Sequence, residues 1–419
     1  MDKLVIEGSV PLLGEICVQG AKNAVLPILA ATVLADGECI IHNAPNLRDV
    51  HKTDLVLRRL GCEVRREGST IFVNPTDFCG CSISEDLMRE MRSSIIFLGA
   101  IISRCGMAVV SMPGGCPIGL RPIDLHLRGL RALGVEIHEE HGYIHCSAPF
   151  LKGADIHLDF PSVGATENIM LAAVYAEGDT YISNAAREPE ITDLANFLNR
   201  MGADIKGAGT GLIRISGVHK RLKGTEYTVM PDRIAAATYL AAGAITDGEI
   251  LLRNAAPQHM GAMLHVLEEM GAKIKTERDM IHLKSRGTLR SVHMLRTMPY
   301  PGFPTDIQSP FMALATVARG TSVFTEMIFE NRFRHVDELV RMGADIKVEG
   351  RSAVVRGVER LMGARVVAQE LRGGAALVLA ALAAEGESEI TGTEYIDRGY
   401  EEIEKYISEC GGIIRRERI

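Results

Sequence analysis

The sequence predicts an α/β protein built from six similar units of about 70 residues, grouped as two domains of three units each. Two recurring phrases support this prediction. The first phrase, from LGCEV to CGGII, places glycines at positions 61, 134, 202, 271, 343 and 411, with spacings of 73, 68, 69, 72 and 68 residues. The second phrase places glycines at positions 37, 106, 178, 248, 320 and 386. Two phrases that keep the same interval indicate a structural repeat.

Each unit contains the same order of elements. A stretch of 14 to 16 residues rich in Ala, Leu and Ile, such as AKNAVLPILAATVLADG, predicts a buried helix that ends at the second-phrase glycine as its C-cap. An alternating run such as GECIIHN predicts a strand. A stretch such as ITDLANFLNRMG then predicts an amphipathic helix that ends at the first-phrase glycine, and further strands complete the unit. Because the Ala-rich helices are apolar nearly all round, we expect helices inside each domain and sheets outside.

Composition and charge limit the class of protein. The chain has 419 residues, 47% of them apolar and 24% charged, which is typical of a soluble globular protein with an ample core. We find no N-terminal signal pattern and no apolar run of the roughly 20 residues that a membrane helix needs, so we expect a cytoplasmic protein. The net charge of -7 argues against a nucleic-acid surface. Repeats alone would also suit a non-enzymatic binding scaffold, so function must come from where the units differ.

The cysteines and histidines do not form a metal-binding pattern. Nine cysteines are scattered through the chain, and we expect most of them to be reduced and buried. The pair Cys79 and Cys81 has no second pair at metal-finger spacing, and His138, His141 and His145 look like a polar turn. We therefore expect no bound metal.

The second unit departs from the repeat in one loop. Its two recurring glycines are 28 positions apart, where those of the other units are 23 to 25 positions apart. The extra residues fall in SMPGGCPIGLRP, Ser111 to Pro122, whose glycines and prolines exclude a continuous helix or strand. Loops on a rigid scaffold commonly carry function, which makes Cys116 beside Arg121 a candidate for chemistry. A surface turn with an incidental cysteine is the alternative.

Basic residues at the helix starts are a second departure. The predicted buried helices begin near Lys22, Arg92, Gly164, Asp232 with Arg233, Asp306 and Arg372, and the amphipathic ones begin at or after Arg48, Arg121, Arg187, Arg332 and Arg398. A helix N-terminus is partly positive, so a base there is unfavourable unless an anion joins it. Converging helix starts would form a site for phosphate or carboxylate. For Arg187 and Arg332, ion pairs with nearby glutamates are the alternative, and Asp306 is either an N-cap or a base among cations.

Seven motifs spread over the whole chain resemble those of the UDP-N-acetylglucosamine enolpyruvyl transferases. They are QGAKNAVLPILAA at Gln19, PGGCPIGLRPIDLH at Pro113, PSVGATENIMLAA at Pro161, AAREPEITDLANFL at Ala185, FPTDIQ at Phe303, FENRF at Phe329 and IDRGYE at Ile396. The resemblance implies an inside-out α/β barrel of two domains, residues 22–229 and residues 1–21 with 230–419, with an active site in the cleft between them. 5-Enolpyruvylshikimate-3-phosphate synthase shares this architecture but lacks the cysteine loop.

The same resemblance implies a reaction. The enolpyruvyl group of phosphoenolpyruvate passes to the 3′-hydroxyl of UDP-N-acetylglucosamine with release of phosphate, the first committed step of peptidoglycan synthesis. By analogy Cys116 is the general acid that protonates C3 of phosphoenolpyruvate and can bond to it, Asp306 is the base near the 3′-hydroxyl, and Lys22 belongs to the catalytic group. A thiol near its ordinary pKa of roughly 8.5 is mostly protonated at neutral pH yet ionises readily beside Arg121. No metal and no organic cofactor is implied.

Substrate contacts are implied as well. The phosphoenolpyruvate positions are Lys22, Arg48, Arg121, Arg372 and Arg398. The nucleotide-sugar positions are Asn23, Arg92, Arg121, Pro122, Ile123, Asp124, Leu125, Ser162, Val163, Gly164, Asp306 and Ile328. A lid that carries the cysteine is expected to close only when substrate brings the negative charge that offsets these cations.

The sequence departs from the pattern common in the family in four respects. Arg48 and Phe160 replace lysine, Glu370 replaces aspartate, and Gly373 and Gly374 follow it in the next helix. Arg48 keeps its charge, Phe160 removes a contact to the diphosphate or uracil end, and Glu370 is one methylene longer next to the reacting groups. The alternatives are a related transferase with another acceptor and an inactive paralogue that binds the UDP-sugar as a regulator. Retention of the cysteine together with the cations argues against inactivity.

Overall fold

The computed structural model describes residues 2–112, 118–119 and 122–418. The helices are α1 (Lys22–Ala31), α2 (Arg48–Arg59), α3 (Glu85–Glu90), α4 (Phe97–Cys105), α5 (Asp124–Ala132), α6 (Val163–Ala173), α7 (Pro189–Met201), α8 (Arg233–Ile245), α9 (Gly261–Glu269), α10 (Gln308–Val317), α11 (Val336–Arg341), α12 (Leu371–Ala383), α13 (Thr393–Ile396) and α14 (Ile403–Glu409). Short 3-10 turns span Thr32–Leu34, Arg92–Ile96, Pro257–His259 and Thr305–Ile307.

The strands alternate with these helices along the chain. They are β1 (Asp2–Glu7), β2 (Leu13–Cys17), β3 (Ala35–Asp36), β4 (Cys39–His42), β5 (Glu63–Glu67), β6 (Thr70–Asn74), β7 (Ser82–Ile83), β8 (Met107–Ser111), β9 (Glu136–Glu140), β10 (Tyr143–Ser147), β11 (Asp155–His157), β12 (Asp179–Ser183), β13 (Asp204–Lys206), β14 (Leu212–Ser216), β15 (Leu222–Lys223), β16 (Glu226–Thr228), β17 (Glu249–Arg253), β18 (Lys273–Thr276), β19 (Ile281–Lys284), β20 (Met294–Arg296), β21 (Thr321–Thr325), β22 (Asp345–Glu349), β23 (Ser352–Arg356), β24 (Arg365–Val367), β25 (Glu387–Thr391) and β26 (Ile413–Arg418).

The described chain forms two compact units. The terminal unit contains residues 2–19, 118–119 and 231–418, and the central unit contains residues 20–112 and 122–230. The terminal unit has the sheets β24-β25-β1-β26, β18-β19-β17-β2 and β20-β21-β23-β22. The central unit has β7-β8-β10-β9, β11-β12-β14-β13 and β16-β4-β6-β5, together with the pair β15-β3.

All six four-stranded sheets have the same pairing pattern. In each of them one edge strand is parallel to its neighbour and the other two pairings are antiparallel, as in β11-β12-β14-β13. The strands alternate between buried and exposed residues, so each sheet turns one face to the core and the other to solvent. This common topology confirms the six repeats that the two glycine phrases predict.

The Ala-rich helices lie inside each unit. In the terminal unit α8, α10 and α12 pack against one another, and in the central unit α4 packs against α1 and α6. Every residue of α8 is buried. The prediction of helices inside and sheets outside is confirmed for both units, and the strands of the described chain form separate sheets rather than one closed barrel.

Helix starts follow the prediction more closely than helix ends. The inner helices α1, α4, α6, α8, α10 and α12 have 10, 9, 11, 13, 10 and 13 residues, so the expected 14 to 16 is wrong. Among the second-phrase glycines only Gly106 is a helix C-cap in the described chain, with φ of 71°. In α10 the chain already leaves the helix at Ala318, which is extended. The apolar run therefore includes the buried connection to the next strand.

Two smaller predictions, on the histidines and on the cysteines, are only partly confirmed. His138 lies in β9 directly opposite His145 in β10, and only His141 stands in the turn between them. All eight described cysteines are free, but only Cys39, Cys62, Cys146 and Cys410 are buried, which is half of them rather than most.

Two kinds of feature are absent from the described residues. They contain no group of three or more His, Cys, Asp or Glu side chains arranged to hold a metal ion. None of their helices has the length and apolar character to span a bilayer.

Candidate anion-binding and catalytic site

Three inner helices of the central unit begin at or near residues that the sequence singles out. α1 begins at Lys22, the Arg92–Ile96 turn leads into α4, and α6 begins after its N-cap Ser162. The Arg92–Ile96 turn packs against both α1 and α6. The Arg92–Ile96 turn therefore lies against two other inner helices of this unit, and the convergence of the bases at the helix starts stays a prediction.

Lys22 makes a buried ion pair. Its Nζ lies 2.7 Å from Oδ2 of Asp49, and the two side chains are 11% and 2% exposed. Asp49 is in the first turn of α2, where a carboxylate is favourable, and it directly follows Arg48, which is exposed. The pair fixes the ammonium group at the start of α1, where Asn23 is the next residue. Sequence reasoning missed Asp49, although an acid beside a base at a helix start was visible.

The start of α6 is arranged around two residues of the PSVGATEN motif. Ser162 caps the helix, since its Oγ accepts from the N–H of Ala165 at 3.3 Å. A Cβ on Gly164 would lie 3.0 Å from Cε1 of His126, so a side chain at this position would crowd the ring. Nδ2 of Asn168 lies 3.0 Å from Nδ1 of His126, which places the ring proton on Nε2 when the amide donates. His126 was not predicted from the sequence.

The remaining nucleotide-sugar positions of the central unit differ in exposure. Pro122 and Asp124 are exposed, whereas Ile123, Leu125 and Val163 are partly buried. Phe160, one of the departures, is 43% exposed. A large apolar side chain left this open to solvent is compatible with contact to a ligand but does not identify one.

In the terminal unit Asp306 lies between two arginines. Its Oδ1 is 2.8 Å from Nη2 of Arg332, and its Oδ2 is 3.2 Å from Nη2 of Arg372. The arginine side chains are only 2% and 4% exposed, whereas Asp306 is 29% exposed. The N-cap of α10 is Ile307, so Asp306 is not the helix cap, and the interpretation as a base among cations fits the structure. Glu330 pairs with Arg351 instead, so the local ion pair suggested for Arg332 is wrong.

Arg372 is held by an aromatic ring as well as by Asp306. Its guanidinium lies 5.5 Å from the ring centroid of Tyr400, whose hydroxyl lies 2.9 Å from Oγ1 of Thr238. Burial lowers the pKa of Arg372, but Tyr400 and Asp306 outweigh burial and raise that pKa above its ordinary value. Nη1 of Arg372 is buried without a hydrogen-bond partner among the described residues. A buried cationic donor in this state is suited to an oxygen of a bound anion.

Glu370, the departure nearest to these arginines, caps α12. Its Oε2 accepts from the N–H of Arg372 at 2.8 Å, and its Oε1 accepts from the N–H of Gly373. Asp232 at the start of α8 offers a direct comparison, because its Oδ1 accepts from Ile234 and Ala235 at 2.8 and 3.0 Å. The φ angle is -157° at Glu370 and -77° at Asp232. A more extended backbone therefore accommodates the longer side chain at the same cap.

The two glycines that follow Glu370 are required by close packing. A Cβ on Gly373 would lie 2.6 Å from Oε1 of Glu370 and 2.8 Å from Cβ of His335. A Cβ on Gly374 would lie 2.7 Å from Cγ1 of Ile396. Full burial lowers the pKa of His335 to about 4, so its ring is neutral at physiological pH. The glutamate and the glycines therefore belong to one packing arrangement.

Cys116 and Arg121 lie outside the described residues, so their predicted roles stay predictions. Two residues of the same loop are described: the C=O of Ile118 accepts from the N–H of Asn331 at 3.0 Å, and Gly119 has φ of 150°. Asn331 belongs to the FENRF motif, and nearby the N–H of Ile328 donates to Oε1 of Glu326 at 2.8 Å. The FENRF motif therefore contacts the loop that distinguishes the second repeat.

Comparison with known proteins identifies the family. Residues 6–407 match the family described as EPSP synthase (3-phosphoshikimate 1-carboxyvinyltransferase), and the chain belongs to this family. Its relatives include UDP-N-acetylglucosamine 1-carboxyvinyltransferase 2 of Caldanaerobacter subterraneus subsp. tengcongensis, which is 53% identical over 99% of this chain and 100% of the relative. UDP-N-acetylglucosamine 1-carboxyvinyltransferase 1 of Symbiobacterium thermophilum is 52% identical over 99% of this chain and 95% of the relative.

Solved structures agree with the fold. The enolpyruvyl transferase NikO from Streptomyces tendae superposes with a TM-score of 0.90 at 24% identity, covering 99% of this chain and 98% of that one. EPSP synthase from Acinetobacter baumannii superposes with a TM-score of 0.76 at 20% identity, with full coverage of both chains. The architecture is therefore that of the EPSP synthase family.

Proposed function

We propose that this protein transfers the enolpyruvyl group of phosphoenolpyruvate to the 3′-hydroxyl of UDP-N-acetylglucosamine and releases phosphate, the first committed step of peptidoglycan synthesis. Relatives at about half identity over the full chain carry the name of this activity. The structural observation that carries the proposal is Asp306 between the buried Arg332 and Arg372. We place the reaction in the cytoplasm, where both substrates are made.

The reaction proceeds by addition and elimination. In the addition, the sugar 3′-oxygen bonds to C2 of phosphoenolpyruvate while its proton passes to Asp306, and C3 takes a proton from the Cys116 thiol. In the elimination, C3 returns a proton, the bond from C2 to the phosphate oxygen breaks, and phosphate leaves. Asp306 contacts the guanidinium groups of Arg332 and Arg372, so the proposed base is close to cations that are suited to the anionic substrate.

Several basic residues share the proposed binding of phosphoenolpyruvate. Lys22, held by Asp49 at the start of α1, and Arg372, with its unpartnered Nη1, supply fixed positive charge. Arg48, Arg121 and Arg398 complete the set by resemblance. Preorganised cations lower the barrier because they need no rearrangement when negative charge develops on the reacting groups. We propose that the Cys116 loop closes over the bound substrates as a lid.

The nucleotide-sugar positions form a second group. Asn23, Arg92, Pro122, Ile123, Asp124, Leu125 and the run from Ser162 to Gly164 belong to the central unit, and Asp306 and Ile328 belong to the terminal unit. The N-terminus of α6, with its Ser162 cap, is suited to the diphosphate because backbone N–H groups and the helix dipole favour an anion there.

A single assay distinguishes the proposed function from two alternatives. A transferase with another acceptor would release phosphate from phosphoenolpyruvate with a different UDP-sugar or with shikimate 3-phosphate, and a regulatory paralogue would bind the UDP-sugar without turnover. We expect phosphate release with UDP-N-acetylglucosamine and none with shikimate 3-phosphate. No release with UDP-N-acetylglucosamine at saturating phosphoenolpyruvate would overturn the proposal.

A further inference from the structure

We propose that Gln19 is a positioning residue that sets the phosphoenolpyruvate affinity by fixing the backbone segment immediately after Arg398. The inference rests on the proposed function, in which Arg398 binds phosphoenolpyruvate. Gln19 opens the QGAKNAVLPILAA motif, yet the substrate contacts assigned from the sequence begin at Lys22 and leave it without a role. Its side chain is nevertheless buried, with the residue 6% exposed.

The Gln19 amide brackets one residue of the IDRGYE motif. Its Nε2 donates to the C=O of Gly399 at 3.2 Å, and its Oε1 accepts from the N–H of Glu401 at 2.9 Å. The bracketed residue is Tyr400. An amide has a donor and an acceptor on the same planar end, whereas a carboxylate or an ammonium group offers only one kind. The arrangement is therefore specific for glutamine rather than for any polar side chain of this length.

The bracketed segment is bonded to α13, since the N–H groups of Gly399 and Tyr400 donate to the C=O of Ile396 at 3.0 and 3.1 Å, and Gln19 adds a support from outside these helices. It lies between the end of α13 at Ile396 and the start of α14 at Ile403, and Glu402 has φ of 42°, which is the left-handed region. A Cβ on Gly399 would lie 2.7 Å from Cδ1 of Leu371, so the backbone passes very close to the start of α12. Arg398 stands at the beginning of this turn. A turn held from outside the helices transmits its position directly to the residue that precedes it.

The same segment also supports the second cation. Tyr400 stacks under the Arg372 guanidinium at 5.5 Å and its hydroxyl lies 2.9 Å from Thr238 of α8. Gln19 is itself fixed to α8, because its backbone C=O accepts from the N–H of Asp232, the α8 N-cap, at 2.9 Å. The amide therefore connects the start of α8 to a turn that begins with one arginine of the site and lies beneath another.

Steady-state kinetics of Gln19→Met test the proposal. Methionine fills the same volume but forms neither hydrogen bond, so the turn loses its bracket while the core stays packed. We expect the KM for phosphoenolpyruvate to rise about tenfold, and the KM for UDP-N-acetylglucosamine to change by less than about twofold, since a displacement near 1 Å is enough for effects of this size. Gln19→Glu keeps the acceptor for Glu401 and loses the donor to Gly399, so it should give a rise of the same kind.

Thr246→Val is the matched control. Oγ1 of Thr246 accepts from the N–H of Leu12 at 3.3 Å, so this variant removes a buried hydrogen bond between the N-terminal segment and the far end of α8. It should leave both KM values unchanged. An unchanged phosphoenolpyruvate KM in both Gln19 variants, or an equal rise for both substrates, would overturn the inference alone. Wild-type protein that releases no phosphate would instead overturn the proposed function and this inference with it.

Discussion

Asp306 illustrates how single side chains define this site. Two arginines that are almost fully buried share its carboxylate, and each of them keeps one buried donor without a partner in the described chain, Nε of Arg332 and Nη1 of Arg372. Burying a guanidinium is costly unless its charge and donors are satisfied, so the arrangement is most stable when an anion completes it. This requirement is the residue-scale reason to expect an anionic substrate.

His335 gives the protein a measurable pH dependence of stability. Its pKa is about 4 in the folded protein, below the ordinary value of 6.5, because the ring is fully buried. Between these pH values the unfolded chain binds a proton that the folded chain does not, so stability falls as the pH falls. The difference corresponds to roughly 3 kcal/mol.

We therefore expect the free energy of unfolding of His335→Asn to approach that of the wild type as the pH is lowered. The variant loses packing at every pH, but it carries no titrating ring, so the gap should shrink by roughly 3 kcal/mol between pH 7 and pH 4. Urea unfolding at several pH values measures both proteins. A gap that stays constant over this range would show that His335 is not buried as a neutral ring.

The cysteines supply a second residue-scale prediction. Burial raises the pKa of Cys39, Cys146 and Cys410 to about 11 and that of Cys62 to about 12, so these thiols should be inert toward alkylating reagents at neutral pH. An epoxide reagent should label Cys116 first, and faster when UDP-N-acetylglucosamine is present. Peptide mass mapping that finds the label chiefly at Cys79 or Cys81 would contradict the role assigned to Cys116.

At the residue scale, the sequence predicts which charged residues belong to the site better than it predicts the residues that contact them. Lys22 and Arg372 stand out because a base at a helix start is unfavourable without an anion. Asp49 is visible only as an acid beside a base at a helix start, and Tyr400 does not stand out, because its role comes from a tertiary contact with Arg372. Gln19 is visible as part of a motif, but its two hydrogen-bond partners, Gly399 and Glu401, lie about 380 residues further along the chain.

At the scale of elements, the start of α12 is where this chain departs most from its family pattern. Glu370 caps the helix through two backbone N–H groups and adopts a more extended backbone than Asp232 does at the equivalent start of α8. Gly373 leaves the space that the longer carboxylate uses. We infer that the glutamate and the glycine compensate for each other.

A double-mutant cycle tests this compensation. Gly373→Ala should lower the free energy of unfolding by about 1–3 kcal/mol and reduce turnover, because the new methyl group displaces the Glu370 carboxylate from its cap. Glu370→Asp alone should leave turnover no better, since the extended backbone is suited to the longer acid. In the double variant the cost of the alanine should be smaller, because aspartate does not reach the space that Cβ takes.

Two outcomes would contradict this account of α12. Strictly additive losses of stability would show that the two positions are independent. A large gain of turnover in Glu370→Asp would show that the glutamate impairs an otherwise intact site. Chemical denaturation and phosphate release from the same four proteins provide both measurements.

Element boundaries were predictable only in part. Five of the six inner helix starts fall within a few residues of the predicted ones, because caps and the change from polar to apolar residues mark them. In the second unit a 3-10 turn at Arg92 precedes the α-helix. The sequence predicts the C-terminal ends of the inner helices too far along the chain, because the buried connections to the next strand are as apolar as the helices themselves.

At the scale of the whole molecule, the sequence predicts six repeats but not how the chain closes its sheets. β1 completes the sheet of β24, β25 and β26, and β2 pairs with β17. Both N-terminal strands therefore belong to the terminal unit, more than 200 residues away in sequence from the strands they contact. Periodicity cannot show this, because a strand that leaves its own repeat has the same alternating pattern as one that stays.

The central claim is that this protein carries out enolpyruvyl transfer by addition and elimination. Its most direct test is the reaction of phosphoenolpyruvate with UDP-N-acetylglucosamine in D₂O, followed by phosphate measurement and mass spectrometry of the nucleotide product. We expect one phosphate released for each enolpyruvyl ether formed, with deuterium in the vinyl group, because C3 passes through a methyl stage whose added hydrogen comes from a thiol that exchanges with solvent. Absence of the ether, or an ether without deuterium, would contradict the account.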